Sequence, residues 1–330
     1  MIGLKSSNSV ANWGITKDLQ ADIRYEPNAC KGFVMDLSLG CPHHCKYCLF
    51  SSLELKAYKL QVPEYKGDVI NLRLDKFLKR TVFPTSIYLS YSSDPLGDAV
   101  SKESTKVVLK KLFEHNVNVL FITKGLFDNS LLEVIKLRPD LMNIQIDMAS
   151  CDKERNRVME SGAPTYEQRL ENLSKLSNIE GLPPIVVRMD PLLPDIDDTE
   201  TNINHIFKDI VKFGIKEVVV GYVILPKSFV NAWAKSDFTK GMAGLLTEET
   251  PTISGQKLYS IPFDVKLERI DKIQKIGAKY GIRVSVCGCK DERFKKCNLE
   301  WICHPFNRRR RQELNKLAHE SMKMEFDHLI

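Results

Sequence analysis

Between residues 86 and 222 the chain alternates short apolar runs with amphipathic segments, and this alternation limits the folds open to it more than any other feature. The runs at 86–90, 117–122, 142–148, 184–189 and 217–222 have the length and apolar content of buried strands. The segments between them, at 102–114, 130–137, 166–176 and 202–213, repeat apolar residues at helical spacing. A strand-like run at 33–37 and a segment of helical spacing at 72–80 precede the series, and a short extra strand is expected at 22–25. A helix at 264–280 and a strand at 283–286 resume it. Strands joined through helices lie parallel, and right-handed crossovers over six such units curl the sheet toward a barrel. Ligands then belong at the C-terminal ends of the strands.

The first strand-like run leads into Gly40-Cys41-Pro42-His43-His44-Cys45-Lys46-Tyr47-Cys48, three cysteines spaced C-x3-C-x2-C. Gly40 and Pro42 disfavour helix there, so the three thiols lie on a loop at a strand's C-terminal end. Three thiolates can hold three irons of a four-iron cluster and leave one iron open to a chelating ligand. A zinc knuckle completed by His43 or His44 is the alternative, although such sites usually bring two Cys or His pairs. Disulfides fit poorly, because three close thiols leave one unpaired.

With Tyr47 before the last cysteine, this motif resembles the signature of the radical S-adenosylmethionine (SAM) superfamily. The resemblance runs over residues 32–222 and is closest to the spore photoproduct lyase branch. It implies an α/β fold, a partial (β/α)6 TIM-like barrel, here with a C-terminal cysteine-rich extension. It also implies a [4Fe-4S] cluster on Cys41, Cys45 and Cys48 that cleaves SAM. The 5'-deoxyadenosyl radical so formed would abstract hydrogen from a substrate, with electrons drawn from a flavodoxin- or ferredoxin-like donor.

The strand ends supply the expected SAM contacts. Ser92 and Asp94, in Tyr91-Ser92-Ser93-Asp94-Pro95, match in kind the family position that meets the SAM amino group, although the familiar Gly-Gly-Glu form is absent; a plain turn is the alternative. Lys124, in a Thr-Lys pair like that of the branch, would pair with the SAM carboxylate. Asp147 or Ser150 would touch the ribose or methionine end, and Arg157 would reach the carboxylate, with Arg155 in reserve. Glu160 and Arg169 could instead form a structural ion pair. Arg188 and Asp190, in Arg188-Met189-Asp190-Pro191-Leu192-Leu193-Pro194, face the cavity if Val187 and Met189 face the other way. Gly221 offers a place for a flat adenine to approach the backbone.

Residues 226–261 break the alternation and read as an irregular insertion of the kind that caps a site. Beyond it Cys287, Cys289, Cys297 and Cys303 are spaced C-x-C-x7-C-x5-C. Four thiolates can close around an auxiliary [4Fe-4S] cluster or a structural zinc, and the first motif favours the cluster. Cys30 and Cys151 read as ordinary packed thiols. The run Arg308-Arg309-Arg310-Arg311 suits a phosphate-bearing substrate if it folds back, and otherwise is a solvated basic segment.

The chain divides on this reading into an N-terminal extension (1–30), the barrel (31–225), an insertion or cap (226–264) and the region carrying the second cysteine group (265–330). Its 330 residues, 43% hydrophobic and 27% charged, suit a globular protein with a sizeable core. Neither a signal-peptide-like start nor a bilayer-length apolar window occurs, so a cytoplasmic protein with no membrane partner is expected. The net charge of +6 suits an acidic electron donor.

The expected activity is hydrogen abstraction from a small, nucleotide-like molecule. The auxiliary cluster would bind substrate, relay an electron or donate sulfur. A DNA-lesion lyase of the spore photoproduct type is one alternative, weakened by the lack of interleaved aromatic and basic residues that nucleic-acid grooves use. A non-catalytic zinc-binding interaction protein is the other.

Overall fold

The computed structural model describes residues 23–26, 32–38, 40–52, 74–75, 77–78, 86–251, 257–288 and 290–297. Outside them lie most of the expected extension at 1–30, including Cys30, together with Cys289, Cys303 and Arg308 to Arg311. Part of the expected helix at 72–80 is also outside; residues 74, 75, 77 and 78 are helical.

The main sheet has eight strands: β1 (Ile23–Glu26), β2 (Gly32–Met35), β3 (Ser86–Leu89), β4 (Asn118–Thr123), β5 (Met142–Asp147), β6 (Val186–Leu192), β7 (Glu217–Tyr222) and β11 (Arg283–Val286). They are hydrogen-bonded in the order β1-β2-β3-β4-β5-β6-β7-β11. β1 is antiparallel to β2, and the other seven are parallel. Seven consecutive parallel strands with helical crossovers form the partial barrel expected from the alternation.

Helix starts are set by polar caps. Asp98 accepts from the Ser101 amide before α2 (Ala99–Glu114), Asp128 from Leu131 before α3 (Asn129–Leu137), and Asp152 from Arg155 before α4 (Lys153–Met159). Thr165 forms a capping box with Gln168 at α5 (Tyr166–Ser177), and Thr199 caps α6 (Glu200–Ile210). Each cap satisfies amides that the helix itself leaves open and contributes about 1 kcal/mol. These caps place α2 three residues earlier than apolar periodicity alone suggests. The first short helix, α1 (Leu49–Ser52), follows the cysteine loop directly.

Register sorts the side chains into two faces. Val284, Val218, Val187 and Ile146 align across β11, β7, β6 and β5 and are buried. Gly277 of α9 (Phe263–Lys279) lies so close to Val284 that a Cβ there would sit 2.8 Å from its Cγ2, so this is the helix-packed face. Ser285, Val219, Arg188 and Asp147 align on the opposite, lumenal face. Tyr88, Ser90, Asn143, Gln145, Asp190 and Cys287 follow them by period-two alternation, and the lumen is thereby polar.

The expected irregular insertion is instead an ordered unit. β8 (Leu225–Pro226), β9 (Glu248–Pro251) and β10 (Lys257–Ser260) form an antiparallel sheet in the order β8-β10-β9. α7 (Lys227–Trp233) and α8 (Lys240–Leu245) accompany it, and Trp233, Met242 and Ala243 are buried. Strands of two to four residues are too short to show a period, which is why sequence reasoning missed them. No helix among the described residues is long and apolar enough to cross a membrane.

Candidate active site

The cysteine loop is clamped to the segment after α4 by the backbone. Lys46 donates to the Met159 carbonyl at 2.9 Å, Gly162 to the His43 carbonyl at 3.0 Å, and Cys45 and Glu160 form an antiparallel bridge. At Gly162 a Cβ would lie 2.1 Å from the Pro42 carbonyl oxygen. Because that obstacle is backbone, it cannot swing aside. Gly162→Ala is therefore expected to push the loop off its seat, lowering stability by about 1–3 kcal/mol and lowering the iron retained per chain after anaerobic reconstitution.

His43 is buried with Nδ1 3.2 Å from the Gly162 carbonyl and Nε2 3.0 Å from Asp94 Oδ2. Both ring nitrogens are thus turned to oxygens, and neither is offered to a metal. His44 is exposed, in left-handed backbone at φ 49°. The zinc alternative at this loop therefore loses His43 as its fourth ligand.

Cys41, Cys45 and Cys48 are half-buried free thiols on the one loop. Burial pushes the Cys45 thiol up to about 12, opposed by the nearby Lys124 charge. Burial and then Asp94 push Cys41 well above its ordinary value.

Under the loop lies a buried charge network. Glu160 accepts from Arg155 on Oε1 and from Arg169 on Oε2, the latter at 2.5 Å, and Tyr47 Oη also donates to Oε1. Arg155 forks onto Asp197 at 3.0 and 2.6 Å. Arg155 and Lys124 both stand over the Tyr47 ring, at 5.5 and 5.6 Å from its centroid. Lys124 Nζ is 2.9 Å from Asp147 Oδ2. Burial alone would lower the Lys124 ammonium, but Asp147, Glu160 and Cys45 hold it well above its usual range. The expected Glu160–Arg169 structural pair is present, extended by Arg155, Asp197 and Tyr47.

Asp94 is the second anchor. Its carboxylate accepts from Leu96 N–H and Lys124 N–H at 2.8 Å and from Thr123 Oγ1 at 2.6 Å. Burial opposes ionisation, yet His43, Thr123 and the Lys124 amide hold Asp94 well below the carboxylate range. Ser92 is buried beside it and donates its amide to Asp36 at 2.8 Å. Around this point the buried Ser90 and Ser93 hydroxyls and Asp147 Oδ1 have no hydrogen-bond partner among the described residues.

Several expected SAM contacts are placed otherwise. Arg157 lies on the exposed face of α4, paired with Glu154 at 2.6 Å; Arg155, two residues or about 200° around the helix, is the one directed inward. Ser150 faces Asn202 and accepts from the Asp152 amide, so its hydroxyl serves the turn into α4. The same Asn202 binds the half-buried Cys151, consistent with a packed thiol. The space at Gly221 is taken by the Asp190 carboxyl, whose atoms lie 3.0 to 3.2 Å from a would-be Cβ, and is not left open for a ring.

Arg188 and Asp190 lie on β6, Arg188 in register with Asp147 of β5. Arg188 donates to Gln145 Oε1 at 3.1 Å and to Asp190 Oδ2 at 2.5 Å, and is hydrogen-bonded to Cys287. Lys290 pairs with Asp190 from the segment after β11. Sequence reasoning missed Lys290, Asp36, Asp197 and Tyr47's hydroxyl contact; only their spatial partners mark them. Cys287 directly follows β11, and Cys297 directly follows a 3-10 turn over Glu292–Lys296, its thiol 3.3 Å from the Arg293 carbonyl.

No curated protein matches this sequence. Among solved structures, a single-residue mutant of spore photoproduct lyase superposes with a TM-score of 0.63 at 15% identity, covering 82% of this chain and 80% of that one. Spore photoproduct lyase complexed with dinucleoside spore photoproduct gives 0.63 at 15%, covering 80% and 78%. Streptococcus suis SuiB bound to S-adenosylmethionine gives 0.50 at 11%, covering 78% of this chain and 50% of that one. These likenesses establish a shared fold. The sequence itself matches the radical SAM superfamily over residues 35–206, a little more than half of the chain, and the chain belongs to that superfamily.

Proposed function

We propose that this chain is a radical SAM enzyme that takes hydrogen from a small polar substrate held in the barrel lumen. The observation carrying this reading is the loop of three thiols clamped at the C-terminal end of the parallel strands. The residues present fit the family's cofactors: three soft sulfur donors suit iron, and the Ser90 and Ser93 hydroxyls and Asp147 Oδ1, without hydrogen-bond partners among the described residues, suit a ligand rich in amine and hydroxyl donors. When bound, the [4Fe-4S] cluster supplies the electron that splits SAM into methionine and a 5'-deoxyadenosyl radical.

The chain's own residues do the rest. Cys41, Cys45 and Cys48 would hold the cluster, and Asp147 with Lys124 would orient SAM beside it. The expected contact of Lys124 with the SAM carboxylate requires that ammonium to share its charge with Asp147. Phe50, just after the cysteine loop, Tyr91 and Tyr88 make consecutive edge-to-face contacts at 5.4 Å centroid separations. Cys287, Cys289, Cys297 and Cys303 would hold an auxiliary cluster, zinc being the alternative, with roles in substrate binding, electron relay or sulfur donation. A flavodoxin- or ferredoxin-like protein would be the electron donor.

The test is anaerobic. Reconstituted protein given reductant and SAM should yield methionine and 5'-deoxyadenosine. About eight irons per chain would support two clusters and about four would support one. A preparation that contains zinc without iron and never cleaves SAM would instead indicate the binding protein. The extent of the likeness to spore photoproduct lyase favours a second reading, a DNA-lesion lyase; consumption of dinucleoside spore photoproduct would establish it.

A further inference from the structure

The expected SAM contacts include Asp94, but its carboxylate has no acceptor site to spare. Oδ1 accepts from the Leu96 amide at 2.8 Å and from Thr123 Oγ1 at 2.6 Å. Oδ2 accepts from the Lys124 amide at 2.8 Å and faces His43 Nε2 at 3.0 Å. A carboxylate offers about four lone-pair sites, so two neighbours on each oxygen fill it. A further donor, such as the SAM amino group, would have to displace one of these buried contacts.

The neighbours come from separate parts of the site. His43 lies between Cys41 and Cys45, Leu96 is in the turn after β3, Thr123 ends β4 and Lys124 follows it. One buried side chain therefore ties the cysteine loop to the end of β4. Packing repeats the tie without charge: a Cβ at Gly97 would sit 2.9 Å from Pro42 Cδ, and one at Gly125 would sit 2.5 Å from the Leu96 carbonyl oxygen. The turn at 94–97 is thus wedged between the thiol loop and the residue after Lys124.

Lys124 is consequently held at both ends. Its amide donates to Asp94, while its ammonium reaches Asp147 at 2.9 Å and stands 5.6 Å from the centroid of the Tyr47 ring, inside the cysteine loop. Backbone and ammonium are both referred to the loop that carries the thiols, so the place of the cation relative to them is set before a ligand arrives. Fixing a charge in advance avoids the cost of organising it on binding.

We propose that Asp94 is a positioning residue and not a SAM contact: it locks the cysteine loop to the root of Lys124, so that this ammonium meets the SAM carboxylate at a fixed place beside the cluster. The proposal deepens the radical SAM reading and rests on it for the identity of the ligand.

The test measures, by calorimetry on reconstituted protein, affinities for SAM, for decarboxylated SAM and for the SAM analogue lacking the amino group. Wild-type protein is expected to bind SAM more tightly than decarboxylated SAM. Asp94→Asn keeps the side-chain size but turns an NH2 group toward one pair of donors. It should weaken SAM binding about tenfold and bring the preference for SAM over decarboxylated SAM close to one, while the preference over the deaminated analogue stays at its wild-type value. In a Lys124→Met background the same substitution should bring no further loss of affinity, because Asp94 acts through Lys124. If Asp94→Asn fails to retain iron, Thr123→Val decides, since it removes one donor to Asp94 and leaves the carboxylate: a smaller loss of the same selectivity is expected, and no loss overturns the proposal. Collapse of the amino-group preference would make Asp94 a direct SAM ligand, and equal weakening of all three ligands would make its role merely structural. Unchanged affinities, or a wild type indifferent to the carboxylate, would likewise overturn it. Formation of 5'-deoxyadenosine by the wild-type preparation separates each of these failures from failure of the radical SAM reading.

Discussion

Replacing Cys45 with alanine is expected to reduce SAM cleavage to background while leaving the fold in place. The loop's position depends on backbone groups: the Cys45–Glu160 bridge, Lys46 N–H on the Met159 carbonyl and Gly162 N–H on the His43 carbonyl. None of these involves the Cys45 thiol. The variant should therefore stay within about 1 kcal/mol of the metal-free wild type in chemical denaturation. Two remaining thiols cannot hold three irons, so iron per chain and 5'-deoxyadenosine should fall together. Retained full cleavage would remove the cluster from this loop and the proposed function with it.

The largest expected stability loss belongs to Glu160. Its carboxylate is fully buried between Arg155 and Arg169 and also accepts from Tyr47. Glu160→Ala leaves two guanidinium groups buried with half of their counter-charge, and breaking a buried pair in this way costs about 3–5 kcal/mol. The exposed Glu154–Arg157 pair on the adjoining helix is the control, and Glu154→Ala should leave the unfolding midpoint unchanged within error. Tyr47 sits between Cys45 and Cys48, two of the thiols proposed to hold the cluster, so loss of Glu160 should also lower iron retention.

The same group sets an acid limit. Burial by itself would raise the Glu160 carboxyl, but Arg169, Arg155 and Lys124 hold it well below its ordinary value. As pH falls below about 4.3, the unfolded chain takes up this proton before the folded one does. The stabilisation is thus complete above that pH and is lost below it. Unfolding midpoints of the metal-free protein between about pH 6 and pH 3 should fall more steeply for the wild type than for Glu160→Gln. Equal slopes would mean that Glu160 is protonated in the fold.

Strand and helix order was legible from apolar periodicity, because each element must bury one face to form. The strand Glu217–Tyr222 matches expectation at both ends, and most other elements differ by one to three residues where a polar cap such as Asp98 or Thr199 sets the start. Helix α4 and the three-stranded sheet at residues 225–260 were not legible, being too short for a period to register. In the candidate site, Lys124 and Asp147 were legible by position at strand ends. Their pairing with each other was not, since it depends on β4 and β5 lying in a particular register.

By itself the sequence determined three things here: a parallel sheet with helical crossovers, a three-thiol loop at the end of its first parallel strand, and polar residues at the strand ends. Those follow from local spacing, which a chain carries however it folds. Tertiary structure alone decided which charges meet. It turned Arg155 inward and Arg157 outward, sealed Glu160 between two arginines, and brought Lys290 to Asp190 across a hundred residues of chain. The physical reason is that a charge's partner is chosen by distance and burial in space, and both exist only once the strands have taken their register.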